Sequence, residues 1–339
     1  MNNPTHGAEV LKPEGYVPDP LRYEKIEAAN GESFLFNEPE AFTVITSIGG
    51  QETRLHPHLK ARDGSSIVFA GNMSEMWGQK SLPDDERIAD ARLNVDTFLR
   101  SPGIEVDPAN VHILLPQRGY DIPLKLIDID ELPVNPDKVT AEAIEERGDM
   151  LVTKNPNIVL GVRPADCPVL LGYGINAEGE RENFLAHIAS GGAAAGFVAQ
   201  FADRLKERNI DPESVRISIT PGAHAENYPF KSLNNPLEGK EGLEKLFVNI
   251  HEIVEDGEKK LEYGIDTPFF VYDELIRLGF DPYQLMLDTS DTGSFDTEYS
   301  SNGRSERSRR AWVAKGSPED EDHEVGKRDL IIMVPRARL

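Results

Sequence analysis

Short apolar runs alternate with turn residues along this chain, and the spacing inside each run separates strands from helices. SFLFN (33–37) and AFTVITSI (41–48) end on Asn-Glu-Pro and Gly-Gly breakers and predict strands. DDERIADARLNVDTFL (84–99) sets Ile88, Ala91, Leu93, Val95 and Leu99 near helical spacing behind an acidic start, which predicts a helix. VHILLP (111–116) and IPLKLIDID (122–130) read as strands, and TAEAIEERG (140–148) as the end of a short helix.

The pattern is densest over 149–222, where DMLVT, NIVLGV, CPVLLGYG, NFLAHIAS and VRISITPG are strand candidates rich in Val, Ile and Leu. Between the last two, GGAAAGFVAQFADRLKERN sets Phe197, Val198, Phe201 and Leu205 on one face, which predicts one helix ending near Asn209. EGLEKLFVNIHEIVEDG (241–257) and FFVYDELIRLGF (269–280) both read as amphipathic helices, and RDLIIMVP (328–335) as a final strand. The expected class is therefore α+β, with residues 1–30 as an extended arm and 31–339 as a single domain with insertions.

Composition narrows the function. Hydrophobic residues make up 39% of the 339, enough for a sizeable core. The formal charge of -23, from 59 acidic against 36 basic residues, disfavours nucleic acid and anionic membrane as partners. A single cysteine forms no internal disulfide and suits a reducing, cytoplasmic setting. The first twenty residues lack the basic and apolar regions of a signal peptide, and no apolar run is long enough for a membrane span.

That cysteine carries the chemistry. INAEGERE separates CPVLLGYG from NFLAHIAS, so a β-hairpin is the simplest local topology. A turn centred near Ala177 and Glu178 sets Cys167 opposite residue 187 or 188, with opposed Cβ atoms about 4.5–5.5 Å apart. Cys167 and His187 are thus the candidate reactive pair. Past His187 the chain runs through Ser190, Gly191 and Gly192 into a helix, whose first N–H groups suit an anion. Such surroundings favour a thiolate, for metal ligation or for nucleophilic attack.

GDMLVTKNPNIVLGVRPADCPVLLGYG followed by FLAHIASGGAAAG resembles the laccase-domain family, also called polyphenol oxidase or YfiH-like proteins. The family pattern is an Ala-Asp-Cys-hydrophobic-Pro-Val strand and then Ala-His-Ala-Gly-Trp-Arg-Gly. The resemblance implies layered mixed sheets flanked by helices, of a cysteine-hydrolase type. It implies purine nucleoside phosphorylase activity with adenosine deaminase side activity, so a nucleoside and phosphate as partners of a monomer or homodimer. It also implies a metal, zinc ahead of copper, on two histidines and a cysteine. Cys167 and His187 match two of these ligands. At the third, a His in Gln-Val-His-Gly, the segment LLPQRGYD carries Arg118, which leaves His224 in TPGAHAENY, or His112, to substitute. Ser190-Gly191-Gly192 stands where the family has Trp-Arg-Gly. TEYSSNGRSERSRRAW resembles a Phe-Ser-Tyr-Arg-Arg segment, so Arg118, Arg304, Arg307, Arg309 and Arg310, with Gly191 and Gly192, are the candidate phosphate contacts.

Two further readings stay open. A metal-free cysteine hydrolase or deamidase would use Cys167 as nucleophile and His187 as base. A binding protein of the same fold would have lost the chemistry.

Overall fold

A computed structural model of the protein describes residues 35–36, 43–48, 51–55, 66–70, 93, 95–97, 99–100, 106–117, 123–133, 142–225, 229–230, 247–255, 258–288, 292–293, 313, 315 and 330–334. The strands, in chain order, are β1 Leu35–Phe36, β2 Thr43–Ile48, β3 Gln51–Leu55, β4 Ser66–Ala70, β5 Val111–Pro116, β6 Leu126–Asp128, β7 Glu142–Gly148, β8 Met150–Thr153 and β9 Val159–Val162. They continue as β10 Val169–Ile175, β11 Arg181–His187, β12 Arg216–Ile219, β13 Pro229–Phe230, β14 Phe247–Glu255, β15 Glu258–Ile265, β16 Leu285–Asp288 and β17 Leu330–Val334. Three labelled helices are α1 Ser190–Ala194, α2 Phe197–Glu207 and α3 Thr267–Arg277.

Two mixed sheets form the body: one in the order β1-β16-β12-β10-β11-β8-β6, the other β4-β17-β9-β5-β7. Strand alternation divides the larger sheet between two apolar clusters. Leu170, Phe184, Ala186, Ile217 and Leu287 pack with Phe197, Phe201 and Leu205 of α2 and Val271 and Leu275 of α3. Leu151, Val169, Leu171 and Leu185 turn the other way, onto Leu114, Leu160, Val162 and Ile331 of the smaller sheet. The result is helices, then sheet, then sheet, which bears out the layered α+β expectation. The ring edge of Phe184 meets Phe201 at 5.4 Å between centroids, and Gly172 lies beside that ring because a Cβ there would come within 2.8 Å of it.

Several elements differ from the sequence expectation. TAEAIEERG is strand β7, paired parallel with β5 along the sheet edge. EGLEKLFVNIHEIVEDG enters the antiparallel pair β14 and β15, on either side of an Asp-Gly dipeptide that is itself a hairpin signal. In both cases the ladder of hydrogen bonds overrides helix propensities worth only tenths of a kcal/mol per residue. The helix expected over 191–209 is two helices, broken at Gly196, whose φ of 84° is left-handed. Residues 93, 95–97 and 99 are helical as expected, with Val95 and Leu99 buried, but Leu93 is 65% exposed and lies off the apolar face. The expected arm at 1–30 lies outside the described residues. Among the described residues no helix is long and apolar enough to cross a membrane.

Candidate active site

The site is built at one end of the larger sheet. Strands β10 and β11 pair with Val169 opposite His187 and Ile175 opposite Arg181. The ladder extends one step further, where the Ile188 N–H donates to the Pro168 carbonyl at 3.0 Å. The turn is therefore centred on Glu178, and Cys167, just before β10, lies diagonal to His187 rather than directly opposite. The expected partner was residue 187 or 188, so the register differs by two residues or by one; a slip of two keeps every side chain on its face, whereas a slip of one reverses them all. His187 shares its face with Val169 and Leu185, the face toward the smaller sheet, and is buried. Cys167 is partly exposed.

A second segment runs along Cys167. Thr220 brackets Val169: its N–H donates to the Val169 carbonyl at 3.0 Å, and its hydroxyl accepts the Val169 N–H at 2.9 Å. The Ala223 N–H donates to the Asp166 carbonyl at 3.0 Å. Thr292 ties the same turn from outside, through its N–H to the Gly222 carbonyl at 3.1 Å and its hydroxyl to the Asp166 carboxylate at 3.2 Å. This holds the TPGAHA loop, and with it His224, along the residues that carry Cys167.

Two glycines make that placement achievable. A Cβ at Gly222 would lie 2.9 Å from the Asp166 carbonyl and 3.2 Å from Pro168. At Gly264, on β15, it would lie 1.9 Å from the Ala225 carbonyl oxygen. Ala225 adjoins His224, so β15 presses the loop against Asp166 and Pro168. Gly264→Ala is expected to cost about 1–3 kcal/mol, because backbone rather than a flexible side chain must give way. It is also expected to reduce turnover about tenfold by displacing His224. Chemical denaturation and steady-state kinetics measure the two effects.

The third wall comes from β8. The His187 N–H donates to the Asp149 carbonyl at 2.9 Å, which extends the pairing of Met150 with Ala186. The Asp149 carboxylate, 2% exposed as a residue, accepts from the Gln117 side-chain amide and from the Lys125 N–H at 3.0 Å. Burial pushes this carboxyl above its usual range, and the hydrogen bonds from Lys125 and Gln117 pull it back down. Sequence reasoning missed Asp149. The available signal was an acidic residue opening a strand, MLVT, whose four residues are all buried.

The structure thus brings Cys167, His187 and the His224 loop to one place. His112 is elsewhere: it pairs with Leu160 near the start of β5, five residues before Gln117, or roughly 16 Å at about 3.3 Å per residue. Arg118, Arg304, Arg307, Arg309 and Arg310 lie outside the described residues. Gly191 is partly exposed at the start of α1. Gly192 has a packing reason for lacking a side chain, since a Cβ would stand 2.7 Å from the Phe197 ring.

Thiolate and imidazole are suitable zinc donors, but a catalytic zinc normally takes three protein ligands. Among the described residues, no three His, Cys, Asp or Glu side chains are grouped so as to hold a metal ion. The described donors therefore do not by themselves fit zinc or a set of copper ions.

Comparison with known proteins gives the context. A family model for the multi-copper polyphenol oxidoreductase laccase matches residues 128–311, a span that contains Cys167, His187 and His224. The fold is similar to that of YlmD from Geobacillus stearothermophilus, with a TM-score of 0.52 and 13% identity over 87% of this chain and 100% of that one. It is also similar to the hypothetical protein YfiH of Bacillus licheniformis, with a TM-score of 0.51 and 16% identity over 83% and 95%. No curated protein matches the chain.

Proposed function

The chain belongs to the multi-copper polyphenol oxidoreductase laccase family, and from that premise we propose that it is a purine nucleoside phosphorylase with adenosine deaminase side activity. The observation that supports this most is the register of β10 and β11, which sets Cys167 and His187 at one end of the sheet, beside His224's loop.

In this proposal phosphate attacks the anomeric carbon of the nucleoside as the C–N bond to the base breaks. The departing purine takes up a proton. Cys167 holds the reacting end of the site as thiolate. Arg118, Arg304, Arg310 and the amides at Gly191 and Gly192 are the proposed phosphate contacts. Zinc, when bound, would supply a Lewis acid, with Cys167 and His187 as its proposed holders and a third donor from outside the described residues. A lone thiol in such a role suits a reducing, cytoplasmic compartment.

The placement of Cys167 diagonal to His187 also supports a second reading, a metal-free hydrolase with Cys167 as nucleophile and His187 as its base. One experiment separates the two. The purified chain is incubated with adenosine, with and without phosphate, its products are chromatographed, and its zinc is measured by elemental analysis. Phosphate-dependent adenine release, with inosine as a minor product and about one zinc per chain, is the expected result. Turnover with no metal would install the hydrolase reading. No turnover under any condition would remove both.

A further inference from the structure

The carboxylate of Asp149 reaches away from the strand it opens and grips both ends of another segment. Its Oδ2 takes the Gln117 side-chain amide and the Lys125 N–H, while Gln117 also donates from its side chain to the Pro123 carbonyl at 3.4 Å and from its backbone to the Gly148 carbonyl at 3.2 Å. Lys125 returns the contact, its carbonyl accepting the N–H groups of Asp149 and Met150 at 2.9 and 3.1 Å. The same residue, through its own carbonyl, holds the His187 N–H. One residue therefore joins the start and the finish of the 117–125 segment to the strand end that carries the imidazole. Gln117, Pro123 and Lys125 line a cleft of about 630 Å³ together with Arg204 and Arg208 at the α2 end.

We propose that Asp149 is a positioning residue, whose side chain clamps Gln117 and Lys125 and so fixes these two residues relative to His187. The inference rests on the reading of Cys167 and His187 as the reacting centre. It goes further in assigning a positioning role to a carboxylate whose own backbone carbonyl holds the His187 N–H. A buried carboxylate with two donors on one oxygen keeps its partners in a narrow geometry, because losing either leaves charge unsatisfied. Displacing a wall of a reacting site by about 1 Å costs on the order of 100-fold in rate.

The test uses the full chain and the variants Asp149→Ala, Asp149→Asn and Gln117→Leu. Amide hydrogen exchange at Lys125 reads the clamp directly, and adenosine kinetics read its consequence. Asp149→Ala is expected to speed exchange at Lys125 about tenfold while β9 and α2 keep wild-type protection. It is expected to lower kcat about 30-fold with little change in KM. Asp149→Asn, which keeps an oxygen acceptor, is expected to restore both to within about fivefold. Gln117→Leu should lower kcat in the same direction, and its loss should not multiply with that of Asp149→Ala, since one clamp is broken only once. Should Asp149→Ala fail to fold, Asp149→Asn and Gln117→Leu still decide. Wild-type exchange at Lys125 in Asp149→Ala, or equal losses in the Ala and Asn variants, would overturn the proposal. If the wild type turns over no adenosine, the exchange measurements still judge the clamp, so the two readings fail separately.

Discussion

Cys167→Ala is expected to lower kcat/KM for adenosine by at least about 10³-fold, because a thiolate that ligates or attacks has no substitute once removed. The chain has no other cysteine to take over. Cys167 is partly exposed and stands outside both apolar clusters, so the same substitution should shift the unfolding free energy by less than about 1 kcal/mol. That separation of activity from stability is the diagnostic feature. Loss of zinc together with turnover in the variant would point to a ligand role. Loss of turnover with metal content unchanged would point to the nucleophile. A variant as active as the wild type would end the assignment of Cys167 to the site.

The largest stability effect is expected from Arg208→Ala. Arg208 follows α2 and donates through Nε to Glu182 of β11 and through Nη2 to Asp128 of β6 at 2.7 Å. It is the link that ties the helix layer to two strands of the larger sheet. The side chains are 20% exposed for the arginine, 2% for Glu182 and 11% for Asp128. Its neighbouring carboxylates hold the guanidinium above its ordinary pKa against the cost of burial, so it is a permanent cation. Deleting it leaves two nearly buried carboxylates without their counter-charge, a change that costs about 3–5 kcal/mol. Urea unfolding measures this. Adding Glu182→Gln to the variant should recover part of the loss, since the penalty lies in the stranded charge rather than in the missing contact. A loss below about 1 kcal/mol, the scale of a surface pair, would show that the triad is solvated and contributes little.

By itself the sequence determined the strands of the central region and their order. Runs such as VLGV, VLLGYGI and RENFLAH are bounded by turn residues, and alternation plus burial leaves few other conformations open to them. It also determined that Cys167 and His187 come together at one end of a hairpin, because the turn residues between CPVLLGYG and NFLAHIAS fold the two runs back on each other. Only the tertiary structure decided the rest. Residues 142–148 and 247–255 carry helix-like composition, yet they are strands because neighbouring strands offer them ladders that local propensity cannot outweigh. The walls of the site arise from partners far apart in the chain: Thr292 with Asp166, Gly264 with Ala225, Asp149 with Gln117. No periodicity records such contacts, since each depends on where whole strands come to rest rather than on the residues next door.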